Sequence, residues 1–166
     1  MRAQLRLELT DSSGRIITAR EARNAVMREG AKLIALLFTG AQGAITHMGV
    51  GTSDEPESDT YNTLGLVTPT TGDDMLQGET VAPIPADAML ISVDETKRVA
   101  VVRVRATMPA DAAVGRVREA GLIARTEGGD ILYNRVTFAP IDKGDDHELT
   151  LFWEVTFPYG DLNWLS

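Results

Sequence analysis

His47 and His147 are the only histidines in the chain. A Ser-His-Asp triad or a His-metal site would need one of them beside suitable partners. His47 lies in an apolar stretch between Thr46 and Met48, which suits a packed or half-exposed strand residue. His147 follows Asp145-Asp146 in a polar turn, which suits a solvated side chain. Neither is surrounded by the pattern of nucleophile, base and orienter that catalysis needs. The run Asp54-Glu55-Pro56-Glu57-Ser58-Asp59 offers several carboxylates, the ligands that hard cations prefer. It lacks the fixed spacing of a calcium-binding loop and reads as a solvated acidic loop. Gly49 and Gly51 have neither the spacing nor the following lysine of a phosphate-binding loop. No catalytic residue, metal ligand or cofactor is therefore expected.

Two further groups bear on partners. Arg103, Arg105, Arg116, Arg118, Arg125 and Arg135 fall on or beside strand-like segments. They offer a patch for carboxylate partners or an exposed strand face with cross-strand Arg–Glu pairs. The second reading suits most of them. Leu162, Trp164 and Leu165 form an apolar end beyond the Pro158-Tyr159-Gly160 break. Large apolar residues there are expected to dock, on the same chain or as a partner interface on a neighbour.

The elements that must position these residues are mainly strands. Ala120, Leu122 and Ala124, then Leu132, Val136 and Phe138, then Leu149, Leu151, Trp153, Val155 and Phe157 alternate with other residues along Val117 to Phe157. Period-two alternation sends one set to a buried face. Glu127-Gly128-Gly129-Asp130 and the polar segment Pro140 to Asp146 divide the stretch into a three-stranded meander. Leu5, Leu7 and Leu9 make an opening strand that Asp11-Ser12-Ser13-Gly14 ends. Met89 to Val93 and Val99 to Ala106 flank a hairpin turn, with Val102, Val104 and Ala106 facing in. Ile45 to Val50 is a short strand. Thr18 to Phe38 reads as the single helix: Thr18 and Glu21 form a capping box, and Ala22, Ala25, Val26, Leu33, Ile34 and Leu37 form a stripe. Gly30 on or near that stripe is read as a close approach of helix and sheet, with a tolerated weakness of about 1 kcal/mol against alanine as an equally simple alternative.

At 166 residues the chain suits one domain with a sizeable core. Its parts are 1–60 (strand, helix, strand and acidic loop), an irregular arm at 61–87, antiparallel strands at 88–157 and a tail at 158–166. Hydrophobic residues make up 43% of it, an ordinary share for a globular chain. A net charge of −8 disfavours nucleic acid and anionic membranes. The absence of cysteine removes disulfides, thiolate nucleophiles and Cys-based zinc sites. The longest apolar run, Leu33 to Phe38, is too short to span a bilayer. The opening residues lack an apolar signal core, so use without secretion is expected.

Four segments occur in a recognisable order: Arg118-Glu119-Ala120-Gly121-Leu122-Ile123, Gly129 to Arg135, Phe138 to Lys143 and Leu149 to Phe157. Met48-Gly49-Val50-Gly51-Thr52 precedes them, ahead of the acidic loop. This order resembles small virion proteins of tailed bacteriophages and the attachment domain of phage tail-collar fibre proteins. The resemblance covers most of residues 20 to 157. It implies a non-enzymatic structural protein of a phage or phage-tail-like particle, made in the host cytoplasm and joining fibres to the baseplate or hub. Its partners would be other tail, baseplate or fibre proteins. It would assemble as a homo-oligomer, a trimer first among the options, or on a partner ring. It also marks Arg118 and Glu119 as a structural or interface ion pair. The alternatives are a capsid decoration protein and a carbohydrate-binding module, although aromatics are only 5% of the chain. The expected fold is mainly β, an antiparallel two-layer β-sandwich with one N-terminal α-helix packed on it, its exposed edges covered by neighbouring subunits.

Overall fold

The computed structural model describes residues 2–26, 28–37, 43–56 and 75–160. Ten strands account for most of them: β1 (Arg2–Thr10), β2 (Ile16–Val26), β3 (His47–Gly51), β4 (Val81–Pro83), β5 (Met89–Asp94), β6 (Val99–Met108), β7 (Gly115–Thr126), β8 (Gly129–Leu132), β9 (Asn134–Lys143) and β10 (Glu148–Pro158). One α-helix, α1 (Arg28–Leu37), lies between β2 and β3. All named pairings are antiparallel, and the path runs β4-β3-β7-β9-β2-β1-β10-β6-β5, with β8 on β7. The chain is thus mainly β.

The path divides into two sheets. In one, β2, β1, β10, β6 and β5 pair in that order; in the other, β4, β3, β7 and β9 do. Among the described residues, the strand pairs that link the two are Ala25↔Arg135 and Val26↔Asn134, where β2 leaves β1 and meets β9. A single apolar cluster draws on both. Leu5, Leu7, Val104, Ala106, Leu151 and Trp153 come from the first sheet. Met48, Val50, Val117, Leu122 and Val136 come from the second. Leu149, Leu151, Trp153 and Val155 are buried, while Phe152 and Glu154 between them are exposed. The local pattern of β10 therefore fixes its facing as expected.

The helix differs from the sequence expectation. Thr18 to Val26 is strand, paired with β1 from Leu9↔Thr18 to Ala3↔Asn24, and the helix begins only at Arg28. The proposed capping box of Thr18 and Glu21 therefore lies within a strand. Ala22 and Val26 are four residues apart, a spacing that repeats a face in a helix and in a strand alike. Pairing with β1 then selects the strand, and the β-branched run Ile16-Ile17-Thr18 is suited to it. Phe38 and Gly40 lie outside the described residues.

Gly30 does mark a close approach. A Cβ there would come within 2.8 Å of the Tyr133 carbonyl carbon and Cα, and closer still to the carbonyl oxygen. All three are backbone atoms that cannot swing aside. Gly30→Ala gains about 1 kcal/mol of helix propensity, but overpacking of this kind costs roughly 1–3 kcal/mol. A lower melting temperature for Gly30→Ala is expected; a higher one would mean that α1 does not dock on Tyr133.

The meander is also more finely divided than its sequence suggests. The chain breaks at Tyr133, whose N–H donates to the Leu122 carbonyl at 2.8 Å, while the Asn134 side-chain oxygen accepts from the Leu122 N–H at 2.9 Å. The expected turn from Pro140 to Asp146 shrinks, because Pro140 to Lys143 stay in β9. Ile141 is buried there, and Lys143 donates to the Ala110 carbonyl at 2.9 Å. Burial of Lys143 lowers its pKa from the ordinary lysine value.

Candidate functional site

Three of the quoted segments meet at one buried point. Glu119 on β7 and Arg135 on β9 are both fully buried, and Arg135 Nε donates to Glu119 Oε2 at 2.6 Å. The other carboxylate oxygen, Oε1, accepts from the Ser53 N–H at 3.3 Å. Arg135 Nη1 donates to the Glu55 carbonyl at 2.8 Å. The node therefore fastens the chain leaving β3 onto the paired strands β7 and β9. Gly51 is required beside it. A Cβ at that position would lie 3.0 Å from Glu119 Cγ and Cδ, and nearer to Oε1. A fully desolvated carboxylate and guanidinium must be paired and hydrogen-bonded, which both are here.

This placement revises the expected partnership of Arg118 and Glu119. Glu119 takes Arg135 instead, inside the protein. Arg118 is half-buried and directs Nη1 to the Thr52 carbonyl at 3.4 Å. Arg135, expected on or beside a strand with the other arginines, is the one that the fold buries completely. Alternation could not reveal this, because Asn134, Arg135 and Val136 are buried in succession at the strand break.

Most of the other arginines make the cross-strand or local pairs expected of an exposed face. Arg103 Nε reaches Glu154 at 3.1 Å, Arg116 Nε reaches Asp142 at 2.8 Å, and Arg125 grips Asp130 with two bonds of 3.0 and 3.1 Å. The hydrogen bond from Arg116 holds the Asp142 carboxyl below its ordinary value, and that from Arg125 does the same for Asp130.

The histidines serve the backbone and its neighbours. His147 Nδ1 accepts from the Gly144 N–H at 2.9 Å and closes the β9–β10 turn. His47 Nδ1 and the Thr46 hydroxyl share a hydrogen bond of 2.8 Å. Of the acidic loop, only Asp54, Glu55 and Pro56 are described. Among the described residues no three His, Asp or Glu side chains converge as metal ligands. Leu162, Trp164 and Leu165 lie outside the described residues. No described helix is long and apolar enough to cross a membrane.

No family model, no curated protein sequence and no solved structure matches this chain.

Tyr133 is the other notable group near the node. It is 2% exposed, and burial pushes its phenol up to about 12. A raised tyrosine pKa means that the folded protein favours the neutral phenol. Its contribution to stability is complete below the unfolded value near 10 and is lost as pH rises toward 12. Ultraviolet titration should show one of the three tyrosines ionising about two pH units late, and Tyr133→Phe should remove that phase.

The most exposed large apolar side chains among the described residues lie on one strand. β5, at the end of the path, exposes Leu90, Ile91 and Val93 by 66%, 75% and 60%. By its sequence this strand reads only as half of a hairpin. Its apolar run carries no local signal that distinguishes an edge from a buried strand.

Proposed function

We propose that this chain is a non-enzymatic structural protein of a phage or phage-tail-like particle, working in the distal tail where fibres meet the baseplate or hub. The observation that carries the reading is the convergence of Gly51, Glu119 and Arg135. They belong to three separate segments of the resemblance, yet they meet in one buried node. Segments that merely look alike have no reason to meet, whereas segments that encode a shared scaffold do. In the same reading the two sheets are the layers of a sandwich, with α1 packed on it. The exposed apolar strand β5 suits a protein that works in contact with other copies or other virion proteins.

The test is incorporation. The full chain and a chain lacking Leu162 to Ser166 are supplied to assembling particles and traced in separated tails and heads. The full chain is expected in tails, with the shortened chain melting like the full one but recovered from particles in smaller amount. Recovery in heads alone would favour capsid decoration. Absence from both fractions would end the virion reading.

A further inference from the structure

We infer that β5 is a self-pairing edge, through which two copies of this chain join their sheets about a two-fold axis at Ser92.

The hydrogen-bond pattern supplies the first part. Val99 faces Pro158 across β6 and β10. Proline has no N–H, and the adjacent Tyr159 N–H donates to the Arg98 carbonyl at 3.0 Å. Val99↔Pro158 is therefore a non-hydrogen-bonded pair. The register holds without a shift, so Val99, Val101 and Arg103 turn their backbone groups toward β5, where Asp94, Ser92 and Leu90 receive them. Alternation leaves Ile91 and Val93 with N–H and C=O directed away from β6, where no described strand pairs with them, while the Met89 N–H is taken by the Ala86 carbonyl.

Side chains supply the second part. Ile91 lies opposite Val102, which packs on the core cluster, so Ile91 and Val93 project on the core-facing side of the sheet. They remain 75% and 60% exposed there. The other end of the path is β4, only three residues long and closed by Pro83, which is how proteins commonly blunt an edge. β5 has six residues and no proline.

Only antiparallel registers that set outward-directed residues opposite one another can bond. An axis through Ile91 brings Glu95 toward Asp87 of the second copy, two like charges. An axis through Leu90 would need the Met89 N–H, which the Ala86 carbonyl already takes. An axis through Val93 sets Ile91 against Glu95 and leaves Val93 against itself as its one apolar bonded pair. The axis through Ser92 sets Ile91 against Val93 of the second copy, and Val93 against Ile91. These are two bonded pairs with matched apolar side chains, and Glu95 meets only Met89 at the end of the strand. Charge also fits: Asp94 of the second copy enters beside Leu90 on the face that carries Arg103, and Lys97 of the second copy runs toward Asp87. One six-residue strand falls short of the roughly 800 Å² per partner of a standard interface, so the pairing is concentration-dependent.

This inference does not rest on the virion reading. Its test uses the full chain, which has no cysteine. Ser92→Cys puts the new thiol on the axis, at a non-bonded pair whose Cα atoms lie about 4.5 Å apart, within disulfide range. Mild oxidation should give a disulfide dimer. Leu90→Cys, opposite Asp94 rather than itself, should stay monomeric. Sedimentation equilibrium should show a dimer that Ile91→Lys with Val93→Lys weakens by at least about tenfold, close to 1.4 kcal/mol, with unchanged melting. Monomer at every concentration, or equal cross-linking by Leu90→Cys, would each overturn the pairing. None of these results bears on incorporation into particles.

Discussion

Arg135→Ala is expected to destabilise the protein by roughly 3–5 kcal/mol, because it leaves the Glu119 carboxylate buried without its counter-charge. Total stability for a domain of this kind is on the order of 5–15 kcal/mol, so a large share of the molecules would unfold on modest heating. Glu119→Ala should cost a similar amount by stranding the guanidinium. The two losses should not add, since each removes the same pair. Replacing both together, as Glu119→Leu with Arg135→Met, should recover most of the loss, because well-packed apolar residues of similar volume often match a buried ion pair. Urea unfolding of the wild type, both single alanine variants and the double alanine variant forms the cycle that checks non-additivity, with the Leu–Met double variant measured beside them. Wild-type midpoints for both single alanine variants would mean that the node is not part of the stable core. Hydrogen exchange offers a second readout. The Ser53 N–H, bonded to Glu119 Oε1 at 3.3 Å, should lose protection when the carboxylate is removed.

The second large effect is at Trp153. Its side chain is 1% exposed and belongs to the central apolar cluster, opposite Leu5 on β1 and Val104 on β6. Trp153→Ala should cost roughly 3–5 kcal/mol through lost transfer energy and the cavity left behind. Trp153→Phe should cost far less. Among the described residues the indole Nε1–H has no acceptor, and a buried unsatisfied donor costs about 1–3 kcal/mol. Phenylalanine removes that donor while keeping most of the ring, so the relief offsets much of the smaller cavity. Thermal and urea melts of the two variants test the contrast. Equal losses for Phe and Ala would show that the indole N–H has a partner that stabilises it.

These two sites were not equally legible in the sequence. Trp153 could be placed because β10 alternates cleanly from Leu149 to Val155, and a strand's facing is a local property of its backbone. Arg135 could not. Its burial depends on a break at Tyr133 that lets Asn134, Arg135 and Val136 all turn inward. Nothing within Gly129 to Phe138 sets which residue interrupts the alternation, because the Leu122 backbone bonds both the Tyr133 N–H and the Asn134 side chain at the break.

The short-range features were legible in the sequence: the alternation of β1 and β10, the hairpin between β5 and β6 and the turn after β1. Each follows from the period of the backbone or the chemistry of turn residues, which act within a few positions. The rest came from the tertiary structure. It made a strand of Thr18 to Val26, whose spacing suits either period, because β1 offers a ladder for its backbone. It gave Glu119 to Arg135 rather than to the adjacent Arg118. It left β5 at the end of the path, with Ile91 and Val93 uncovered. In the first two cases the deciding contact joins residues that are apart in sequence, and in the third it is the place of β5 in the sheet; none of these exists until the chain has folded.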